Sequence, residues 1–327
     1  MIRIGENLNV MVKRIGNAMK EKDPKPIRDL ALAEAAAGVD FIDINLGPAR
    51  KGGGELMEWV VKTVQEVVDT PLYLDTIAAG KDLYAEKPMC ISVAECDAIV
   101  KAAEKSKSIV EIGFQSRYNP RIREGVERIQ KGDFGEILEM RGTYLASFGP
   151  LRGWQSKRAR SGDWMVEQAV HFFDIMNWTF KSLASKAYGW GRKDVFTEGE
   201  PDRDVTDYYS ALLEYPGGVI VNWLHSWLCP AGGAFNKHIM QFLGRKGAVD
   251  INDGDVEYMD RGRPKEKLRE PGTDATRLAQ EAFLECVRTR KQPVSNVYNG
   301  RDAVLVSLMV REAVDKRSLV TMEQMRS

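Results

Sequence analysis

Three residues have the types and setting that proton-transfer chemistry needs: Lys87, His171 and Glu167. Lys87 stands between Glu86 and Pro88, directly after a short strand pattern that begins at Leu83. Open α/β sheets place ligands at the carboxyl ends of their strands, where an ammonium can polarise a substrate oxygen and relay its proton. Pro88 would fix the turn. His171 is one of three histidines and falls in a segment that reads as a helix over Trp164–Phe180. Helical spacing puts Glu167 one turn before it and Asp174 about one turn after, all on one face. A carboxylate beside an imidazole orients the ring and raises its basicity. Glu167 and His171 are also spaced as a metal pair, but no third ligand is evident and H-E-x-x-H is absent, so we expect no metal.

The elements that must position these residues follow two patterns. The first 76 residues alternate strands (Ile2–Gly5, Phe41–Asn45, Leu72–Leu74) with amphipathic helices (Pro26–Ala37, Glu55–Val68), which predicts parallel β/α units. After the Leu83 strand come a helix from Val93 to about Lys105, a strand Ile109–Gly113 and a helix Arg121–Gln130. Longer strands then take over, at Ile137–Tyr144, Ser185–Trp190, Tyr208–Tyr215, Val219–Ser226 and His238–Phe242. Pro216-Gly217-Gly218 reads as a hairpin turn between two of them. This predicts an open antiparallel sheet interrupted by the His171 helix, with helices Arg277–Thr289 and Arg301–Asp315 closing the chain. Between the strands at Tyr73 and Tyr84 lie only Asp75 to Asp82. A parallel crossover with its helix needs about ten to twelve residues, so this stretch is expected to be a loop or a single helical turn. Two truncated patterns meet near Thr76.

Composition narrows the partners. Lys plus Arg (47) equals Asp plus Glu (47), for a formal net charge of zero. There is no basic excess to draw in nucleic acid or an anionic membrane surface, which points to a small-molecule partner. No apolar run approaches the roughly 18 residues of a membrane helix, and the N-terminus carries no signal-peptide pattern. Cys90, Cys96, Cys229 and Cys286 form no C-x-x-C pair and read as reduced packing thiols, so the expected location is cytoplasmic.

From Ala79 onward, about three quarters of the chain, the sequence resembles the Gfo/Idh/MocA oxidoreductases. Four segments carry the resemblance in family order: AGKDLYAEKPM from Ala79, GFQSRYNP from Gly113, SGDWMVEQAVHFFDIMNW from Ser161 and PVSNVYNGRD from Pro293. It implies an NAD- or NADP-dependent dehydrogenase of a sugar, polyol or related hydroxy compound. Lys87 would be the proton relay and His171 the general base, with Glu167 beside it where relatives often carry aspartate. The resemblance also implies cofactor contacts from Glu86, Lys87, Pro88, Gln115, Trp154 and Arg158, and substrate contacts from Arg117, Tyr118 and Asp174. His225 and His238 are assigned to packing or surface.

Residues 1–76 instead resemble the pterin-binding barrel of methyltetrahydrofolate–corrinoid methyltransferases, through GENLN from Gly5, GVDFIDINLG from Gly38 and LDT from Leu74. In that family Asp75 would face the pterin and tetrahydrofolate would be the ligand, but only the first three strand units are present. The Gly-rich turn that opens a dinucleotide fold is replaced by Gly5-Glu6-Asn7-Leu8-Asn9, and the Gly52–Gly54 run has the wrong spacing.

The expected fold is thus α/β joined to α+β: an incomplete Rossmann-like portion whose front is replaced by barrel-like β/α units, then an open antiparallel sheet. The expected divisions are 1–76, 77–135, 136–276 and 277–327. Three functions follow: an NAD(P)-dependent oxidoreductase weakened in cofactor binding, a pterin-dependent methyltransferase fragment, or a non-catalytic fusion product. The open sheet suggests a homo-oligomer.

Overall fold

The computed structural model describes residues 4–10, 12–37, 41–45, 53–67, 72–73, 82–149, 153–198, 202–272 and 274–326. The chain divides into two compact units, Met1–Asp82 and Leu83–Ser327. The division falls a few residues beyond Thr76, and residues 75–81 of the expected short loop lie outside the described residues.

In the first unit β1 (Ile4–Asn9), β2 (Phe41–Asn45) and β3 (Leu72–Tyr73) form a parallel sheet in that order. The helices are α1 (Lys13–Glu21), α2 (Pro24–Ala36) and α3 (Gly53–Gln65). The sequence reading missed α1, although Ile15, Ala18 and Met19 recur at helical spacing and are buried. Lys22 ends α1 in the left-handed conformation, and Asp23 caps α2 by accepting the Lys25 N–H, with Pro24 at the first helical position. A Cβ at Gly16 would lie 2.2 Å from the Val10 carbonyl oxygen, so only glycine lets α1 approach the end of β1 this closely. Leu8, Ile15, Met19, Ile27, Ala31, Val60 and Val64 make a core belonging to this unit alone.

The second unit opens with β4 (Leu83–Ala85), α4 (Val93–Ser106) and β5 (Val110–Ile112), the strands pairing in parallel. Ser92 caps α4 through the Glu95 N–H. Cys90 and Cys96 form a disulfide across the start of this helix, which corrects the expectation of four reduced thiols. One half-cystine precedes the helix and the other sits in its first turn, so folding brings together a pair that no C-x-x-C spacing announces. Next come α5 (Pro120–Lys131), β6 (Ile137–Leu145), α6 (Arg158–Ser161), α7 (Trp164–Glu167) and α8 (Val170–Phe180). The remaining strands are β7 (Lys186–Arg192), β8 (Tyr208–Tyr215), β9 (Val219–Ser226), β10 (Lys237–Gly244), β11 (Gly247–Asp250), β12 (Asp255–Tyr258), β13 (Glu266–Lys267) and β14 (Val320–Thr321). The other helices are α9 (Ala275–Thr289), α10 (Val297–Lys316) and α11 (Met322–Arg326).

Among the described residues nine strands make one sheet, in the order β13-β12-β11-β10-β6-β9-β8-β7-β14. It is antiparallel except at its middle, where β6 and β9 run parallel, from Glu139 opposite Ile220 to Leu145 opposite Ser226. The expected hairpin joins β8 to β9, with Gly217 and Gly218 at φ 88° and 80°. One sheet face presents Met140, Tyr209, Ala211, Val221, Trp223, Met240 and Phe242 to a core shared with α8 and α10. The other face leaves Leu138, Tyr188, Trp190, Leu212, Ile220 and Leu224 exposed. In this unit, Leu83–Ser327, α10 packs against α4, α8 and β7 together.

Candidate active site

Lys87 leaves the end of β4 and reaches across to the break between α7 and α8. The helix expected over Trp164–Phe180 is interrupted there, and the interruption creates a hydrogen-bond acceptor. The His171 N–H would donate to the Glu167 carbonyl in a continuous helix, but it is directed to Gln168 instead, and the Ala169 N–H turns back to Trp164. The Glu167 carbonyl is thereby released from the helix ladder. Lys87 Nζ donates to it at 2.5 Å and to the Glu167 carboxylate at 3.1 Å. An ammonium has three donors, so a third N–H remains for a substrate oxygen.

His171 lies beside this pair. Burial, reinforced by the Lys87 charge, pushes its pKa from 6.5 down to about 3, so the imidazole is neutral. Its Nδ1 is buried without a hydrogen-bond partner, and the Phe114 ring stands edge-on to it at 6.0 Å. A neutral imidazole next to a fixed ammonium can take up a proton as negative charge develops between them.

The other expected site residues lie in several settings. Arg117 and Asp174 were expected to touch substrate. They form a buried bidentate pair, Nε to Oδ2 at 2.7 Å and Nη2 to Oδ1 at 2.8 Å, with the Arg117 side chain over Trp178 and one further bond to the Val294 carbonyl. Their polar atoms are consumed by one another, and Asp174 faces the core rather than sharing the His171 surface. Tyr118 is buried with its hydroxyl facing Glu111, without a well-formed hydrogen bond. Arg158 is held at 2.6 Å from Asp163 and 2.5 Å from Asp315, which braces α6 against α10.

Glu86 folds over the strand end, its Oε2 only 2.8 Å from where a Gly113 Cβ would stand. Pro88 follows Lys87 through a cis peptide bond. Gln115 is partly exposed on the 3₁₀ turn Gln115–Tyr118. Trp154 lies in the turn Gly153–Ser156, and Asp75 is outside the described residues.

Two residues that the sequence reading missed support this site. Asp163 caps α7 at a φ of 77°, a strained value for a non-glycine residue. Its buried carboxylate accepts from Arg158, the Trp164 N–H and the Thr206 hydroxyl, and these bonds hold the strain. Tyr144, on β6, is wedged among aromatic rings close to Glu167. It resembled any strand tyrosine in the sequence.

The nicotinamide cofactor that the resemblance implies needs a pyrophosphate cradle. In the sequence only Val10, Met11 and Val12 separate β1 from α1. No glycine lies in that turn, and Val12 caps the helix with no side-chain bond. Such a turn does not fit a pyrophosphate, which requires close backbone approach. Among the described residues no helix is long and apolar enough to cross a membrane.

The architecture is that of a mixed α/β protein whose large sheet carries helices on one face, with the Lys87–Glu167–His171 cluster beside that helical layer. Within this unit residues 122–250 match the GFO/IDH/MocA C-terminal domain. Scyllo-inositol 2-dehydrogenase (NAD(+)) of Bacillus subtilis is 23% identical over 224 residues, 66% of this chain and 63% of the relative. A methylcorrinoid:tetrahydrofolate methyltransferase of Eubacterium limosum is 43% identical over 90 residues, 28% of this chain and 33% of the relative. The chain therefore spans less than two thirds of either relative. The solved aldose-aldose oxidoreductase of Caulobacter crescentus superposes with a TM-score of 0.64 at 18% identity, over 86% of this chain and 79% of that one.

Proposed function

We propose that the Leu83–Ser327 unit is the catalytic portion of an oxidoreductase of sugars, polyols or related hydroxy compounds. The observation that carries this reading is the tie of Lys87 to both ends of Glu167 beside a neutral His171. Lys87 polarises the substrate hydroxyl and stabilises the oxygen as its proton leaves, and His171 receives that proton. NAD or NADP is the hydride acceptor that the likeness to scyllo-inositol 2-dehydrogenase (NAD(+)) points to. The β1–α1 turn argues for weak binding of either.

A second reading concerns the front unit. The 43% identity to the methyltransferase and the separate core of the β/α units favour descent from a tetrahydrofolate-binding barrel, with the whole chain a fusion. A homo-oligomer is part of the same proposal, supported by the apolar residues on the open sheet face, of which Trp190 is 52% exposed. So is a cytoplasmic setting, in which the Cys90–Cys96 bond would form only under oxidising conditions.

One experiment separates these readings: titration of the full chain with NADH, NADPH and methyltetrahydrofolate, followed by polyol oxidation assays with Lys87→Met and His171→Asn. Polyol-dependent reduction of NAD(P) that falls on the order of a hundredfold or more in either variant supports the oxidoreductase. Methyltetrahydrofolate binding alone favours the second reading, and no binding of any of the three favours a non-catalytic fusion product.

A further inference from the structure

We infer that Tyr144 is a substrate-contact residue of this site, its hydroxyl donating a hydrogen bond to a neutral polyhydroxylated substrate held against Lys87 and His171. The inference rests on the oxidoreductase reading above.

The ring of Tyr144 is fixed from several sides. Phe172 of α8 lies 5.2 Å away, His225 of β9 5.4 Å, His238 of β10 5.2 Å, and Trp227, just past β9, 5.6 Å. Four rings from the sheet and the helical layer leave the side chain almost no rotational freedom. The hydroxyl end is different. It makes no hydrogen bond among the described residues, and the side chain remains partly exposed. The Glu167 carboxylate is near enough that its charge, after burial, raises the Tyr144 pKa. A phenol held rigidly by its ring, with a hydroxyl that makes no hydrogen bond among the described residues and lies near a candidate catalytic carboxylate, is a preorganised donor.

The surroundings specify the ligand. His171 Nδ1, His225 Nε2, His238 Nε2 and Trp164 Nε1 are all buried without partners. They belong to Tyr144's own ring cluster or to its catalytic neighbours, and polar groups left in that state cost stability unless something arrives to pair with them. The three histidines have pKa values lowered chiefly by burial, so they are neutral hydrogen-bonding groups. The neighbouring cations are already committed: Lys87 to Glu167, Arg117 to Asp174, and Arg158 to Asp163 and Asp315. No spare positive charge among them is available for a carboxylate or a phosphate. The fitting ligand has several hydroxyls and no charge.

Isothermal calorimetry on the full chain, with and without excess NADH, tests this using myo-inositol, D-glucose and D-xylose as neutral probes and D-glucuronate as the anionic one. Wild type is expected to bind at least one neutral probe and to ignore glucuronate. Tyr144→Phe keeps the ring and its four neighbours, so its thermal midpoint should match wild type while affinity for the neutral probe drops about five- to tenfold. Equal affinity in Tyr144→Phe, with loss in His171→Asn, would overturn the role of Tyr144 and leave the oxidoreductase reading standing. Preference for glucuronate would overturn the neutral-substrate assignment. A wild-type chain that binds none of the probes removes the oxidoreductase reading and this inference with it.

Discussion

Lys87 Nζ sits 2.5 Å from the Glu167 carbonyl oxygen and 3.1 Å from the Glu167 carboxylate, so one side chain grips the backbone and the side chain of the same residue. The carbonyl contact is independent of the carboxylate. Glu167→Gln should therefore leave Lys87 in place, with an unchanged thermal midpoint and a turnover reduced only about tenfold. Lys87→Met removes the ammonium itself and should cost a hundredfold or more. Steady-state kcat for the two variants separates the roles. If they are equally slow, the carboxylate, not the carbonyl, holds the lysine.

The Arg117–Asp174 pair should behave as a structural element. Both side chains are buried, at 6% and 1% exposure, so removing one strands the other's charge. Asp174→Ala is expected to destabilise the second unit by about 3–5 kcal/mol, whereas replacing both residues with apolar ones of similar volume should cost far less. Urea denaturation of the single and double variants reads this directly. A substrate-affinity defect at unchanged stability would instead return these residues to the binding site.

Burial should make stability depend on pH in two opposite directions below about pH 7. His171 and His225 have folded pKa values lowered from 6.5 to about 3, chiefly by burial. Their contribution is complete above the unfolded value of 6.5 and is lost as pH falls toward 3. His225→Phe should flatten that acid limb. Glu111 behaves in reverse: burial raises its pKa from 4.5 to about 7, so its contribution is complete below 4.5 and is lost as pH rises through 7. Glu111→Gln should match wild type near about pH 5 and exceed it by roughly 2–3 kcal/mol near about pH 8.5. Denaturation midpoints across pH test both limbs, and a variant with the wild-type profile would show that its group does not drive that limb.

Nicotinamide affinity should be feeble. The β1–α1 turn lacks glycine, and Glu6 brings a carboxylate to the segment where a dinucleotide fold holds phosphate. Each lost charge-assisted bond removes roughly 1.5–3 kcal/mol, enough together to weaken binding by orders of magnitude relative to an intact relative. Fluorescence titration with NADH and NADPH is expected to give dissociation constants well above the micromolar range. Micromolar binding would show that the front unit supplies a cradle of another kind.

Much of the second unit was legible in the sequence because its signals are local. Alternation marks β8 and β9, Gly217-Gly218 marks their hairpin, and the E-K-P context marks Lys87. The interruption after Glu167 was not legible, since Gln168-Ala169 contains no helix breaker and the lysine that takes the released carbonyl comes from 80 residues earlier. Arg117 and Asp174 looked like pocket residues because their mutual pairing spans 57 positions. Tyr144 was invisible for the same reason: what distinguishes it is a set of rings contributed by α8, by β10 and by the end of β9 and beyond. In the front unit, strand and helix periodicity were readable, but α1 escaped because its apolar residues are few and set among charged ones.

The parallel pairing of β6 with β9 has a consequence for biosynthesis. β6 (Ile137–Leu145) pairs with Val219–Ser226 on one side and Lys237–Gly244 on the other. It leaves the ribosome well before either neighbour has been translated, with both backbone edges unpaired. The sheet cannot nucleate from its centre until the chain past Ser226 has emerged, and the second edge of β6 stays open until Gly244 follows. Long-range pairing of this kind slows folding and exposes strand edges meanwhile, so the nascent chain must be kept from associating with other chains through the strand that ends up at the middle of the finished sheet.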